Sequence, residues 1–250
     1  MKKTDISRHF DEINHNQVIW NSKPLLRNIY MDFYRIISSH INRDPAGKIV
    51  ELGSGIGNLK EFFPESVSTD LVGNPWIDQV ENAYGLTFTD QSVSNLILFD
   101  VFHHLEFPGT ALDEFARVLM PGGRLIIFEP SVSLLGLLVY GIFHHEPLGL
   151  FRKIAWNTDK NMTGNPNRYY AAQGNASRIF LSRKYSEQLS PWKNLVIKKY
   201  SAFSYIASGG YGKFQLYPGS LYPFLKKIDN LLDLIPPVFS TRLLVVLEKQ

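Results

Sequence analysis

The 250-residue chain has no cysteine. That absence excludes disulfide staples, thiol nucleophiles and thiolate metal sites, and it suits a reducing compartment. A secretory leader is missing as a pattern. Met1-Lys2-Lys3-Thr4-Asp5 is basic, but charged and polar residues follow where a signal peptide has its apolar core, so the expected location is cytoplasmic. Long apolar runs are scarce. The strongest, Leu134 to Phe143, is bounded by Ser131-Val132-Ser133 and by His144-His145-Glu146-Pro147. It falls well short of the roughly 20 residues that span a bilayer, so it reads as a buried or interfacial helix. No internal repeat is visible. The basic residues Arg152, Lys153, Arg178, Arg183, Lys184, Lys198 and Lys199 are dispersed, without RNA-reading motifs, which makes nucleic acid an unfavoured partner.

What is present is an ordinary globular composition, 44% hydrophobic and 20% charged. The length suffices for one α/β domain with an insertion or for two small domains. Net charge is +3, but residues 1–130 carry 11 Lys and Arg against 17 Asp and Glu, whereas residues 131–250 carry 15 against 6. The plain explanation is a solvated surface that happens to be basic. A substrate region built from the second half would favour an anionic small molecule or a membrane surface.

The organising stretch is Lys48-Ile49-Val50-Glu51-Leu52-Gly53-Ser54-Gly55-Ile56-Gly57-Asn58-Leu59. It predicts a buried strand, a tight glycine turn and, from Leu59 to Phe63, the first turns of a helix. Such a turn gathers unpaired backbone N–H groups and the positive end of a helix, a corner suited to a polar or anionic ligand. Side chains at Gly53 or Gly55 would hold that ligand away, and the turn calls for positive φ. The spacing departs from the dinucleotide fingerprint G-x-G-x-x-G/A, whose last position would be Asn58. The pattern E-x-G-x-G-x-G instead resembles motif I of the class I S-adenosylmethionine-dependent methyltransferases, of the methyltransferase type 11 kind.

Three further stretches follow in the order that family requires. Val67-Ser68-Thr69-Asp70-Leu71 ends in an acid placed to accept bonds from ribose hydroxyls. Glu81 to Asp90 is similar to D-A-x-x-L-P-F-x-D. Leu98 to Leu105, followed by Arg117 to Leu125, resembles the fourth strand and the R-V-L-K-P-G-G-R-L turn. The resemblance covers residues 46–130. It implies a Rossmann-like α/β fold of seven strands, mostly parallel with an antiparallel edge hairpin, plus amino-terminal helices and an insertion after the fifth strand. It implies S-adenosylmethionine as cofactor, held by Glu51, Gly53, Ser54, Gly55, Gly57, Asp70, Leu71, Asn82, Ala83 and Phe99, and a small-molecule methyl acceptor.

In chain order, residues 1–45 are expected to form an amino-terminal helical lid, 46–130 the cofactor-binding core, 131–190 a substrate-pocket insertion, and 191–250 the closing strands and helix. Leu25 to Ile41 has the spacing of an amphipathic helix, with Pro24 in its first turn. Trp20, Tyr30 and Tyr34 are lid candidates, weighed against simple packing. After Asp70 the usual second helix is missing, because Val72-Gly73-Asn74-Pro75-Trp76 opposes one. This brings Trp76 toward the adenine side or into the core. Asn82, where relatives often carry Asp, can accept through its amide oxygen. Val93 to Phe102 and Leu125 to Phe128 read as strands, Ala111 to Leu119 as a helix, Asn157 to Asn175 as an irregular binding loop, and Trp192 to Tyr200 with Thr241 to Glu248 as the edge hairpin, joined through a helix at Leu221 to Leu234.

A sulfonium methyl is already activated, so transfer needs positioning and, for a hydroxyl or ammonium acceptor, a base poised near neutral pH. Histidine suits that task. His145, His144 and His104, with Glu146 to orient a ring, are the catalytic candidates, the first two preferred because the insertion should set acceptor chemistry. His103 and His104 otherwise complete a strand-to-helix turn. No metal site is expected, since cysteine is absent and adjacent histidines usually point apart. The alternatives are a nicotinamide-dependent oxidoreductase, supported by the glycine turn and Asp70, and a non-catalytic module that keeps the cofactor.

Overall fold

The computed structural model describes residues 4–143, 146–158, 168–212 and 214–250. Its centre is a seven-stranded sheet. The strands are β1 (Lys48–Leu52), β2 (Val67–Asp70), β3 (Gln79–Val80), β4 (Val93–Phe99), β5 (Leu119–Pro130), β6 (Trp192–Tyr200) and β7 (Arg242–Lys249). They lie in the order β3-β2-β1-β4-β5-β7-β6. Strands β1 to β5 pair in parallel, and β7 runs antiparallel to both β5 and β6.

The central strands are apolar almost throughout because both sheet faces are covered. Period-two alternation divides them. Val50, Leu52, Leu96, Leu98, Leu125, Ile127, Leu243 and Val245 face one layer, where Leu112 and Phe115 of α3 (Pro108–Val118) and Ile179 of α5 (Asn175–Phe180) cover them. Ile49, Ile97, Ile126, Phe128, Leu244 and Val246 face the other. There α2 (Pro24–Ser38) buries Leu26, Ile29, Tyr30, Phe33 and Ile37, and Pro24 sits in its first turn as the sequence predicts. Before it, α1 (Ile6–Ser22) buries Ile13, Ile19 and Trp20. At its start Thr4–Asp5 pairs with Arg168–Tyr169, so the chain's beginning meets the insertion.

Two local expectations change. The helix predicted from Leu59 to Phe63 is a single 3₁₀ turn at Asn58–Glu61. Pro64 has no N–H to continue a helix and drives Phe63 out of helical geometry, and β2 begins by Val67. The helix dipole invoked for the ligand corner is therefore replaced by loop amides alone. Strand β5 starts earlier than Leu125. Leu119 pairs with Val93 and Arg124 with Asn95, so Met120 to Gly123 bulges out, with Gly122 at φ +73°. The missing second helix is confirmed. Asn74 caps the short connection by donating to the carbonyls of Gly55 and Val72 and accepting from the Trp76 N–H.

From β5 the chain passes through α4 (Leu134–Leu138) and a π turn at Val139–Phe143. The edge hairpin is joined through α6 (Phe203–Ser208), α7 (Tyr222–Leu232) and α8 (Pro236–Phe239). No helix among the described residues is long and apolar enough to cross a membrane.

Candidate active site

Every glycine of the turn after β1 has positive φ: +73° at Gly53, +55° at Gly55 and +68° at Gly57. Two of them are also sterically committed. A Cβ on Gly53 would strike Val101, and one on Gly57 would strike the Trp76 carbonyl, whereas one on Gly55 meets nothing within 4 Å. Gly55 thus presents bare backbone to open space, as a ligand cradle requires. Ser54 ties the turn together: its N–H donates to the Thr69 carbonyl at 2.8 Å, and its hydroxyl accepts from the Thr69 N–H at 3.1 Å. Glu51, at the end of β1, is buried, and burial lifts its carboxyl to a pKa of about 8. Its Oε2 has no hydrogen-bond partner among the described residues.

Asp70 closes this corner from the end of β2. Its carboxylate accepts from Gly55 N at 2.9 Å and Val72 N at 3.0 Å, and His9 Nε2 of α1 lies 3.4 Å away. Leu71 beside it is exposed. Burial opposes a charge on His9, but the Asp70 carboxylate outweighs it, helped by Glu12 and Glu146, and raises the pKa above 6.5. Burial likewise opposes charge on Asp70, and His9 with the two backbone amides overcomes it, holding the carboxyl below 3.8. The His9 contribution is complete below pH 6.5 and is lost as pH rises through the raised folded value. That of Asp70 is complete above pH 3.8 and is lost as pH falls through its lowered one. The contact between α1 and the core should therefore loosen on the alkaline side. Protection factors of α1 amides are expected to fall as pH rises above 6.5 through the raised His9 value, and His9→Gln should flatten that response. Uniform protection across the range would refute it.

At the carboxyl end of β4, Phe99 stacks on Tyr30 at 5.2 Å between centroids, so Tyr30 and Tyr34 belong to a packed aromatic cluster. Asp100 follows with φ +57° and pairs with Arg242 at the start of β7. The Arg242 guanidinium is buried within a ring of Tyr205, Phe33, Phe99 and Phe128, at 4.8 to 5.8 Å from their centroids.

One turn later a polar cluster is buried. Glu129, near the end of β5, accepts from the Phe102 N–H at 2.6 Å and holds His103 Nδ1 at 2.7 Å. His103 Nε2 lies 3.2 Å from Glu146 Oε2. His104 Nδ1 donates to the Tyr170 carbonyl at 2.9 Å, and its Nε2 is 3.6 Å from Glu146 Oε1. Gln173 Nε2 reaches both His103 Nε2, at 3.1 Å, and Glu146 Oε2, at 2.5 Å. Burial disfavours charge on His103, yet Glu129 and Glu146 hold its pKa well above 6.5. Burial and the neighbouring His103 lower His104 to about 4.

The structure thus brings Glu51, the three glycines, Ser54, Asp70 and Leu71 to one corner, and joins His104 and Glu146 in one cluster. The expectation that neighbouring histidines point apart fails: the His103 and His104 rings lie 4.0 Å apart, tilted by 43°. The 3₁₀ turn at Phe102–His104 carries both rings to one side. His144 and His145 lie outside the described residues. The Asn82 oxygen already accepts from the Tyr84 N–H at 3.0 Å, in a small turn with Gly85, while Ala83 packs against the core. Sequence reasoning missed His9, Glu129, Gln173 and Arg242. Only Glu129, an acid at the carboxyl end of a buried strand, carried a usable signal.

A parallel sheet that ends in an antiparallel hairpin, with a glycine turn after its first strand and a carboxylate at the tip of the second, defines the class I S-adenosylmethionine-dependent methyltransferase fold. Residues 51–127 match the model of the methyltransferase domain family. None of the curated proteins matches. Among solved structures, the chain is similar to an S-adenosylmethionine-dependent methyltransferase of Thermotoga maritima, described as a possible histamine N-methyltransferase. The TM-score is 0.56 at 14% identity, over 96% of this chain and 99% of that one. It is also similar to geranyl diphosphate C-methyltransferase of Streptomyces coelicolor A3(2), solved with Mg2+, geranyl diphosphate and S-adenosylhomocysteine. There the TM-score is 0.53 at 10% identity, over 88% and 77%. At these identities the shared property is the fold.

Proposed function

We propose that this chain transfers a methyl group from S-adenosylmethionine to a small-molecule acceptor, working in the cytoplasm. The supporting observation is the corner formed by Gly55, bare and open, against the carboxylate of Asp70 and the partnerless oxygen of Glu51. These residues fit the cofactor: loop amides for a carboxylate, Asp70 for ribose hydroxyls, and Glu51 for a cationic group. When bound, the cofactor supplies a methyl already activated on sulfonium. The chain's own part is to orient it and the acceptor. Residues 1–45 act as the cover through His9, and residues 131–190 as the acceptor-side segment through Glu146 and Gln173. His103, His104 and Glu146 are the polar groups in place to handle the acceptor's oxygen or its proton, and His144 and His145 directly precede Glu146 in the sequence.

Calorimetry tests the cofactor directly. S-adenosylhomocysteine should bind with a stoichiometry of one, and NAD should give no heat. Binding of NAD with an inert S-adenosylhomocysteine would favour the oxidoreductase. Binding without turnover of any acceptor tried would favour a non-catalytic module.

The acceptor is proposed to be anionic or lipid-linked, such as a glycan intermediate. Leu134, Leu138 and Ile142 recur every four residues and are exposed, and α8 packs beside their helix. Phe224, Leu231, Leu234 and Ile235 are exposed nearby in sequence to α8, along with Lys227 and with Lys226, which pairs with Asp32. An apolar surface with adjoining cations suits an anionic bilayer. The chain should sediment with vesicles containing phosphatidylserine, and Leu138→Asp with Ile142→Asp should abolish this. Sedimentation equal to that with neutral vesicles would count against the lipid-linked acceptor.

A further inference from the structure

We propose that His103, His104 and Glu146 form a binding site for a divalent transition-metal ion of the zinc class, with the amide oxygen of Gln173 as a fourth ligand. One ligand atom from each of the first three residues lies within 4.8 Å of the others. Tetrahedral coordination at about 2.0–2.1 Å implies ligand-to-ligand separations of about 3.3 Å. Among these three residues the separations are 3.2 Å, from His103 to Glu146, and 3.6 Å, from His104 to Glu146.

The surroundings of the rings carry the argument further. A metal-bound histidine commonly donates its other N–H to a carboxylate or a backbone carbonyl, which fixes tautomer and orientation. Both partners are here: His103 Nδ1 meets Glu129, and His104 Nδ1 meets the Tyr170 carbonyl. Each Nε2 is thereby turned toward Glu146. Two imidazoles and one carboxylate suit zinc, cobalt or iron better than magnesium, which prefers oxygen alone.

Gln173 adds an independent sign. It is 2% exposed, and its Oε1 has no hydrogen-bond partner among the described residues. Its amide can turn end for end within the same outline. In one orientation the NH2 faces His103 Nε2 at 3.1 Å and needs that nitrogen as an acceptor, so His103 cannot also donate to Glu146. In the other, Oε1 stands 2.5 Å from Glu146 Oε2, two acceptors in contact. A proton on His103 satisfies neither arrangement fully. A cation held by His103, His104 and Glu146 satisfies the second once the Gln173 amide backs off Glu146 to the tetrahedral separation of about 3.3 Å.

The test uses the full chain without methyl donor, so it is read independently of the cofactor assignment. Chelator-stripped protein titrated with ZnCl2 against a chromophoric indicator should take up one equivalent, and CoCl2 should give a visible band that zinc abolishes. His104→Ala and Glu146→Gln should each weaken zinc binding at least tenfold, and Glu129→Gln by about 10–100-fold. Asp90→Asn, on the surface, should leave uptake unchanged. MgCl2 should not compete. Absence of stoichiometric uptake by the unaltered chain overturns the proposal whatever the variants do, as does uptake that all three variants leave intact while their melting curves show a folded protein.

Discussion

Arg242→Ala is expected to lower the unfolding free energy by about 3 kcal/mol, the largest stability loss of any single substitution at the site. Arg242 is only 2% exposed. Its removal leaves Asp100 without its ion-pair partner and empties the space enclosed by Tyr205, Phe33, Phe99 and Phe128. Uncompensated charge and a cavity act in the same direction. For a chain of this size such a loss corresponds to a fall in melting temperature of about 6–12 °C. Arg242→Met fills the space without the charge, so it separates the two terms: a much smaller loss than for alanine would assign most of the effect to packing. Urea denaturation monitored by tryptophan fluorescence gives the values. A loss below about 1 kcal/mol for alanine would show that the ion pair is not what closes this end of the sheet.

The second large effect concerns ligand affinity. Asp70→Asn should raise the dissociation constant for S-adenosylhomocysteine about 100-fold, since hydrogen bonds to a charged acceptor contribute about 1.5–3 kcal/mol. The carboxylate that should meet the ribose is engaged by Gly55, Val72 and His9. His9 is the one of the three on a helix outside this corner, and His9→Ala should therefore tighten binding, opposite in sign to Asp70→Asn. Calorimetry on both variants decides the matter. Parallel weakening would mean that His9 contacts the nucleoside instead of competing with it.

The sheet and its glycine corner were legible because their signals are local. Gly53, Gly55 and Gly57 encode a turn that other residues fit poorly, and Asp70 stands where a strand ends. The helix expected after β1 fails for a reason also written locally, in Pro64, which takes Phe63 out of helical geometry. The acceptor side was illegible in a different sense. His103 meets Glu129, Glu146 and Gln173 across 26, 43 and 70 residues of chain. No periodicity records such meetings. Arg242 looks like any first residue of a strand until the aromatic rings from α2, β4, β5 and α6 close around it.

The two margins of the sheet differ in how they discourage unwanted association. On one side the outermost strand, β3, is two residues long, so an incoming chain finds almost no ladder to extend. On the other, β6 runs for nine residues but exposes Lys193 and Lys198, whose charges would oppose one another in any self-stacked ribbon. The shortened connection after Asp70 therefore does more than bring Trp76 up to Gly57. It leaves the sheet blunt where it would otherwise be sticky, and protection from fibril-like growth accompanies a feature that also shapes the glycine corner.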